Sequence, residues 1–158
     1  MHSLNISSFS VQFTALRDIK AGEQLYHSYC SEARTKAERQ TDLAPYGFSC
    51  NCLACVTATP ATDNVRKTFR DRVKQLDGGK NGPELLADLV SAKQLETEMI
   101  AEGLDITVDF LTVQCVLHVA SGKLGRTAEE VKYQKRVKEC AKIHVHDRPE
   151  LQMLLSAP

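Results

Sequence analysis

The sequence has no tryptophan, and its aromatics amount to only 6% of residues. It has no excess of either charge: 20 Lys and Arg face 20 Asp and Glu. That balance excludes a generally basic protein that coats nucleic acid or an anionic membrane. No apolar run approaches the roughly 18–20 residues that span a bilayer. The opening, Met1-His2-Ser3-Leu4-Asn5, has neither a basic n-region nor an apolar h-region. These absences predict a chain inside the cell, in nucleus or cytoplasm, with no membrane partner. What is present is ordinary for a globular protein: 42% apolar and 25% charged residues, which excludes wholesale disorder. A length of 158 residues allows one domain, or one small unit plus a helical extension.

The six cysteines are unevenly placed. Cys50, Cys52 and Cys55 crowd together, whereas Cys30, Cys115 and Cys140 are scattered. In a reducing compartment a tight cluster points to a metal site rather than a disulfide framework. Side chains at i and i+2 of an extended segment point the same way, so Cys50 and Cys52 converge. Cys55 returns through a two-residue knuckle of the kind zinc sites favour. Three thiolates do not close a tetrahedral structural site. A fourth ligand must come from elsewhere, either water or one of Cys30, His27 and His2, none of which has a persuasive spacing. The competing reading is three free, buried thiols.

The chain changes character near residue 56. Phe9, Val11, Phe13 and Ala15 alternate with polar residues, which predicts a half-buried strand over Phe9–Leu16. Ala21-Gly22 makes a turn, and Leu25–Tyr29 is a second short strand. Ser31 is placed to cap a helix over Glu32–Gln40 that ends before Pro45. Val56–Thr62 reads as a linker. Beyond it the pattern is helical. Val65, Phe69, Val73 and Leu76 share a face, and Gly78-Gly79 ends that helix. Pro83 suits a first helical position. A second helix runs to Gly103, a third from about Thr107 to Ser121. Thr127 and Glu130 have the spacing of a capping box for a fourth, reaching about Ile143. These helices predict an antiparallel array with Val65, Phe69, Leu86, Leu89, Phe110, Val113, Leu117 and Val137 in its core.

The most specific stretch lies between Ala15 and Cys55. It holds Ala-Leu-Arg-Asp-Ile-Lys-Ala-Gly-Glu-Gln-Leu-Tyr-His-Ser-Tyr, then Tyr46-Gly47-Phe48-Ser49-Cys50-Asn51-Cys52-Leu53-Ala54-Cys55. This order resembles the C-terminal part of a SET-domain protein lysine methyltransferase with its post-SET cysteines. The helical tail is similar to that of the SET-and-MYND subgroup. The resemblance covers about residues 9–55. It implies an α+β fold with partial SET strands over 1–49, a zinc-binding post-SET segment over 50–56, and a mostly α-helical region over 63–158.

The resemblance also implies roles. Tyr29 matches the family's active-site tyrosine, Tyr46 a lysine-channel aromatic, and Phe48 an aromatic that packs on the adenine of S-adenosylmethionine. Cys50, Cys52 and Cys55 match the post-SET zinc ligands. Each has a plainer alternative. Tyr26 and Tyr29 also read as strand aromatics, and Tyr46 and Phe48 as packing that anchors the cysteine loop. In the family the fourth zinc ligand is the cysteine of an upstream Asn-His-Ser-Cys-x-Pro-Asn motif. Here the corresponding stretch reads Met1-His2-Ser3-Leu4-Asn5-Ile6-Ser7, with leucine in place of that cysteine. The sequence also contains no Gly-x-Gly cofactor loop.

The resulting expectation is a protein related to S-adenosylmethionine-dependent lysine methyltransferases, truncated and inactive as this chain, with a protein substrate such as a histone. The alternative is a non-catalytic, zinc-stabilised helical module that binds a protein partner. A third class, nucleic-acid binding through Arg66, Lys67, Arg70, Arg72 and Lys74, is not expected, because a charge run on an amphipathic helix is usually a solvated face. His144 and His146 fall at a predicted helix end, where histidine suits the dipole, and no metal is expected there.

Overall fold

The computed structural model describes residues 2–5, 8–13, 15, 18–25, 27–145 and 149–156. Tyr26, Arg17 and His146 therefore lie outside the described residues, as do the side chains of His2 and Ser3. The architecture is α+β: a small hairpin, an irregular segment, and a helical C-terminal region.

The hairpin pairs β1 (His2–Asn5) with β2 (Ser10–Phe13) in antiparallel register, His2 opposite Phe13 and Asn5 opposite Ser10. Phe9 was expected to open the strand. It sits instead in the connecting turn, in the left-handed region at φ 49° and 90% exposed. The expected strand over Leu25–Tyr29 does not form among the described residues, which run as coil and bends. Among the described residues no strand pairs with them, and a strand without a ladder leaves its backbone groups unpaired.

Helix α1 spans Lys36–Leu43. Its cap is Thr35, not Ser31. The Glu38 amide donates to the Thr35 hydroxyl and the Thr35 amide donates to the Glu38 carboxylate at 2.8 Å, a complete capping box. A 3₁₀ turn over Ala44–Tyr46 follows. Helix α2 (Leu53–Val56) is a single turn. Helix α3 (Pro60–Gln75) begins inside the stretch read as a linker, with Thr59 as cap and Pro60 in the first turn.

Then come α4 (Gly82–Ala101), α5 (Val108–Lys123) and α6 (Thr127–His144), close to the helical periods in the sequence. The start of α6 differs in detail. Thr127 is already helical and Arg126 is the cap residue, with no side-chain cap bond. Glu130 is directed elsewhere: its carboxylate lies so near Gly122 that an added Cβ there would stand 2.7 Å from Oε1. A short α7 (Gln152–Ser156) packs on α6.

Helices α3 and α4 run antiparallel. Arg66 meets Glu102 near one end, and the Asp77 amide donates to Asp88 at the other. Helix α5 packs against α3, α4 and α6, so it is apolar almost all round. Phe69, Leu89, Phe110, Val113, Leu117 and Val137 are buried as expected, and Val65 packs at the core's edge. Leu86 does not belong there; it is 44% exposed, on the outer face of α4. Among the described residues, no helix is long and apolar enough to cross a membrane.

Candidate metal centre

The segment from α1 to α2 is built to bring cysteines together. Gln40, on α1, clamps the backbone of Cys50 twice: its Nε2 donates to the Cys50 carbonyl at 3.0 Å, and its Oε1 accepts from the Cys50 amide at 3.2 Å. Before that, Gly47 reverses the chain at φ 74°, a conformation glycine adopts without a Cβ penalty. Cys52 then caps α2. The amides of Cys55 and Val56 both donate to its carbonyl, at 2.9 and 3.0 Å, which turns Cys55 back toward Cys52.

The sulfurs of Cys50, Cys52 and Cys55 all lie within 4.8 Å of one another. Tetrahedral zinc with bonds of about 2.3 Å places its sulfurs roughly 3.8 Å apart, so small side-chain adjustments would seat an ion. Cys55 is buried, Cys50 half-buried and Cys52 exposed, a graded entry from solvent. The thiols polarise each other. Burial works to raise Cys52, but hydrogen bonds from Cys50 and Cys55 outweigh it and hold that thiol below its ordinary range. Burial pushes Cys55 up to about 11, reinforced by Cys50 and Cys52, with Arg39 opposing. One thiol disposed to ionise beside others that share its charge is a donor set suited to a soft divalent cation. The three close cysteines thus form a cluster able to bind a metal ion.

Tyr46 and Phe48, which precede Cys50 in the chain, belong to a row of rings. His27 and Tyr29 lie 4.4 Å apart between centroids, Tyr29 and Tyr46 5.2 Å, and Tyr29 and Phe48 6.2 Å edge-on. Phe13 of β2 extends the row, 5.5 Å from His27. Tyr29 is 53% exposed, and Tyr46 and Phe48 are also open to solvent. The three aromatics singled out in the sequence are therefore brought together, and two of them, Tyr46 and Phe48, directly precede Cys50 in the chain.

This chain is similar to a histone-lysine methyltransferase. Over 101 residues it is 30% identical to the histone-lysine N-methyltransferase SET5 of Meyerozyma guilliermondii. The match takes in 63% of this chain and 19% of that protein, so the chain spans less than a fifth of its relative's length. No protein-family profile matches the chain, and no solved structure matches it. The likeness is distant, and it points to the SET methyltransferases, as does the post-SET arrangement of the cysteines.

Other candidate residues fall elsewhere. Cys30 lies outside the 4.8 Å group, while Cys115 and Cys140 sit on α5 and α6 in the helical region. His144 is buried in the last turn of α6. The basic run on α3 is largely engaged with acids. Arg66 is only 4% exposed, and Arg70, Arg72 and Lys74 pair with Asp109, Glu98 and Asp71. Arg66 corrects the expectation of a wholly solvated basic face: its guanidinium donates to the carbonyls of both Glu32 and Glu102.

Two residues that shape the site were not singled out in the sequence, Arg39 and Gln40. The available signal was the Thr35-x-x-Glu38 box, which sets the phase of α1 and hence the side on which both residues emerge.

Proposed function

We propose that this chain carries the C-terminal end of a SET-domain protein lysine methyltransferase, with zinc held by Cys50, Cys52 and Cys55 and a protein such as a histone as substrate. The observation that supports this most is the meeting of Tyr29, Tyr46 and Phe48, two of which directly precede the three-cysteine cluster in the chain. Zinc, when bound, cross-links the Cys50–Cys55 segment and so holds Tyr46 and Phe48 in place. S-adenosylmethionine, when bound in a complete enzyme of this class, supplies the methyl group.

The chain's own residues have positioning roles. A lysine amine titrates near ~10.4 and must be neutral to attack, so orientation after deprotonation is what the site has to provide. The Tyr29 hydroxyl orients the amine, Tyr46 lines the channel for its aliphatic stem, and Phe48 offers a face to the adenine ring. The described residues fit S-adenosylmethionine only in part. They make one wall, open to solvent across Tyr29 and Phe48. Catalysis by proximity needs both reactants enclosed in near-attack geometry. The 158-residue chain is therefore expected to leave radiolabelled methyl transfer to histones at background. A longer chain that restores upstream SET segments should gain activity, and Tyr29→Phe in it should lower kcat by roughly a hundredfold or more. Robust transfer by the short chain, or a longer active chain indifferent to Tyr29→Phe, would refute the assignment.

A second reading has its own observation. Phe9, Val11, Phe13, Leu25 and Leu53 are exposed along the N-terminal segment. Such a surface suits a zinc-stabilised module that docks to another polypeptide. That reading predicts binding that survives Tyr29→Phe.

A further inference from the structure

We propose that Arg39 and Gln40 are positioning residues of the metal centre: neighbours on α1, they fasten the two sides of the cysteine loop to one helix, so that the order of α1 sets the affinity for metal. The inference rests on the zinc reading above and goes beyond it, since it gives a role to residues outside the ligand set.

The cysteine loop has one turn of its own, the bonds from the Cys55 and Val56 amides to the Cys52 carbonyl. That turn sets Cys55 against Cys52 and leaves Cys50 able to pivot on the upstream side. Gln40 removes the pivot. Its carboxamide meets both backbone groups of Cys50, the carbonyl at 3.0 Å and the amide at 3.2 Å. Two bonds to one residue fix a direction, where one bond would allow a swing. Arg39 holds the other side. Its Nη2 donates to the carbonyl of Ala54, between Cys52 and Cys55, at 3.1 Å, and its side chain is only 5% exposed. All three bonds join protein groups alone. Residues 39 and 40 stand a fixed angle apart on a helix, so the span between the two holds is set by α1 itself.

Helix α1 has only eight residues, and a helix that short is marginal in water without outside support. Its support is at the N-terminus. The Thr35 and Glu38 capping box closes the first turn, and the Arg39 amide donates to the Thr35 carbonyl at 3.0 Å. The Lys36 amide donates to the Asp63 carboxylate of α3 at 3.0 Å, which ties α1 to the helical region. A line of contacts therefore runs from α3 through the cap of α1 to both sides of the cysteine loop. A metal ion needs its three thiols drawn together. Where backbone contacts already restrain the loop, less of the binding free energy is lost to ordering it. Linkage makes the coupling reciprocal: if an ordered α1 favours metal, bound metal favours an ordered α1.

The test uses the full chain and zinc in competition with a chromophoric chelator. Gln40→Leu removes both bonds to Cys50 and should lower zinc affinity about tenfold or more. Thr35→Ala, remote from the thiols, weakens the cap and should lower it by up to about fivefold. Thr127→Ala, at the box-like spelling on α6, should leave it unchanged. Two readouts separate positioning from general stability. The urea midpoint of the helical region should stay the same in Gln40→Leu, and saturating cobalt(II) should give that variant the same thiolate absorption as the unaltered chain, because every ligand remains. The unaltered chain supplies a measurement that needs no variant: zinc should slow hydrogen exchange of the α1 amides and leave those of α5 alone. If zinc binds but α1 exchanges as before, or if Gln40→Leu and Thr35→Ala keep full affinity, the coupling is refuted while the three-cysteine site stands. Loss of affinity in Gln40→Leu only together with a lower urea midpoint refutes it as well. If the unaltered chain binds no zinc, the zinc reading fails and this inference with it.

Discussion

At the scale of single residues, Tyr133 shows what burial does to an ionisable group. Its hydroxyl lies inside the α4–α6 packing, and burial, reinforced by Glu96 and Glu129, pushes it from 10.0 to about 12. Burial likewise pushes Cys140 from 9.0 to about 11. Both values are raised on folding. Their contribution to stability is therefore complete below the unfolded values and is lost as pH rises through the folded ones. Urea unfolding followed at stepped pH should show stability falling from about 9 toward 12, and Tyr133→Phe should flatten the upper part of that fall. The cysteine cluster has the opposite pH sense for metal. Binding requires thiolates, so zinc affinity should climb with pH as Cys55 is relieved of its proton near 11. Elemental analysis of freshly purified, reduced protein should find one zinc per chain, lost in Cys52→Ala and kept in Cys115→Ala. The cysteines were legible because their spacing is itself geometry. Arg39 and Gln40 were not, because the importance of each depends on which backbone groups the folded chain brings to it.

Among the elements, the helices of the C-terminal region were readable because apolar residues at a 3.6 period leave few other ways to bury them. Phe69, Phe110 and Leu117 fall where that period puts them. Leu86 shows its limit: two adjacent leucines cannot share one face, and Leu85 took the buried one. Leu117→Ala should cost about 2–5 kcal/mol by chemical denaturation, whereas Leu86→Ala should cost no more than about 0.5–1 kcal/mol. Caps were harder to place. Thr35-x-x-Glu38 and Thr127-x-x-Glu130 have the same spelling, but only the first makes the reciprocal bonds, because Glu130 lies against Gly122 instead. The strands were harder still. A strand is stabilised by a neighbour that local sequence does not contain; β1 was not anticipated, and Leu25 and residues 27–29 remained irregular.

For the molecule as a whole, two kinds of packing meet at α3. The helices from α3 to α6 share one core, while the hairpin and the ring row stand on an open face. Limited proteolysis of the full chain should cut first within residues 18–25, which run mostly exposed and outside any helix or strand, and leave a resistant helical piece that begins near Thr59, as mass spectrometry of the fragments would show. Early cuts within α4 or α5 would contradict this layout. Arg66 joins the segment before α1 to the helices, and its manner of doing so has an evolutionary corollary. It donates to Glu32 at the backbone carbonyl alone, while at Glu102 it meets both the carbonyl and the carboxylate. Any residue with a peptide oxygen will serve at position 32, provided the oxygen arrives at the right place. Related chains should therefore vary freely in the letters around position 32 while tolerating no insertion or deletion between there and the cap of α1.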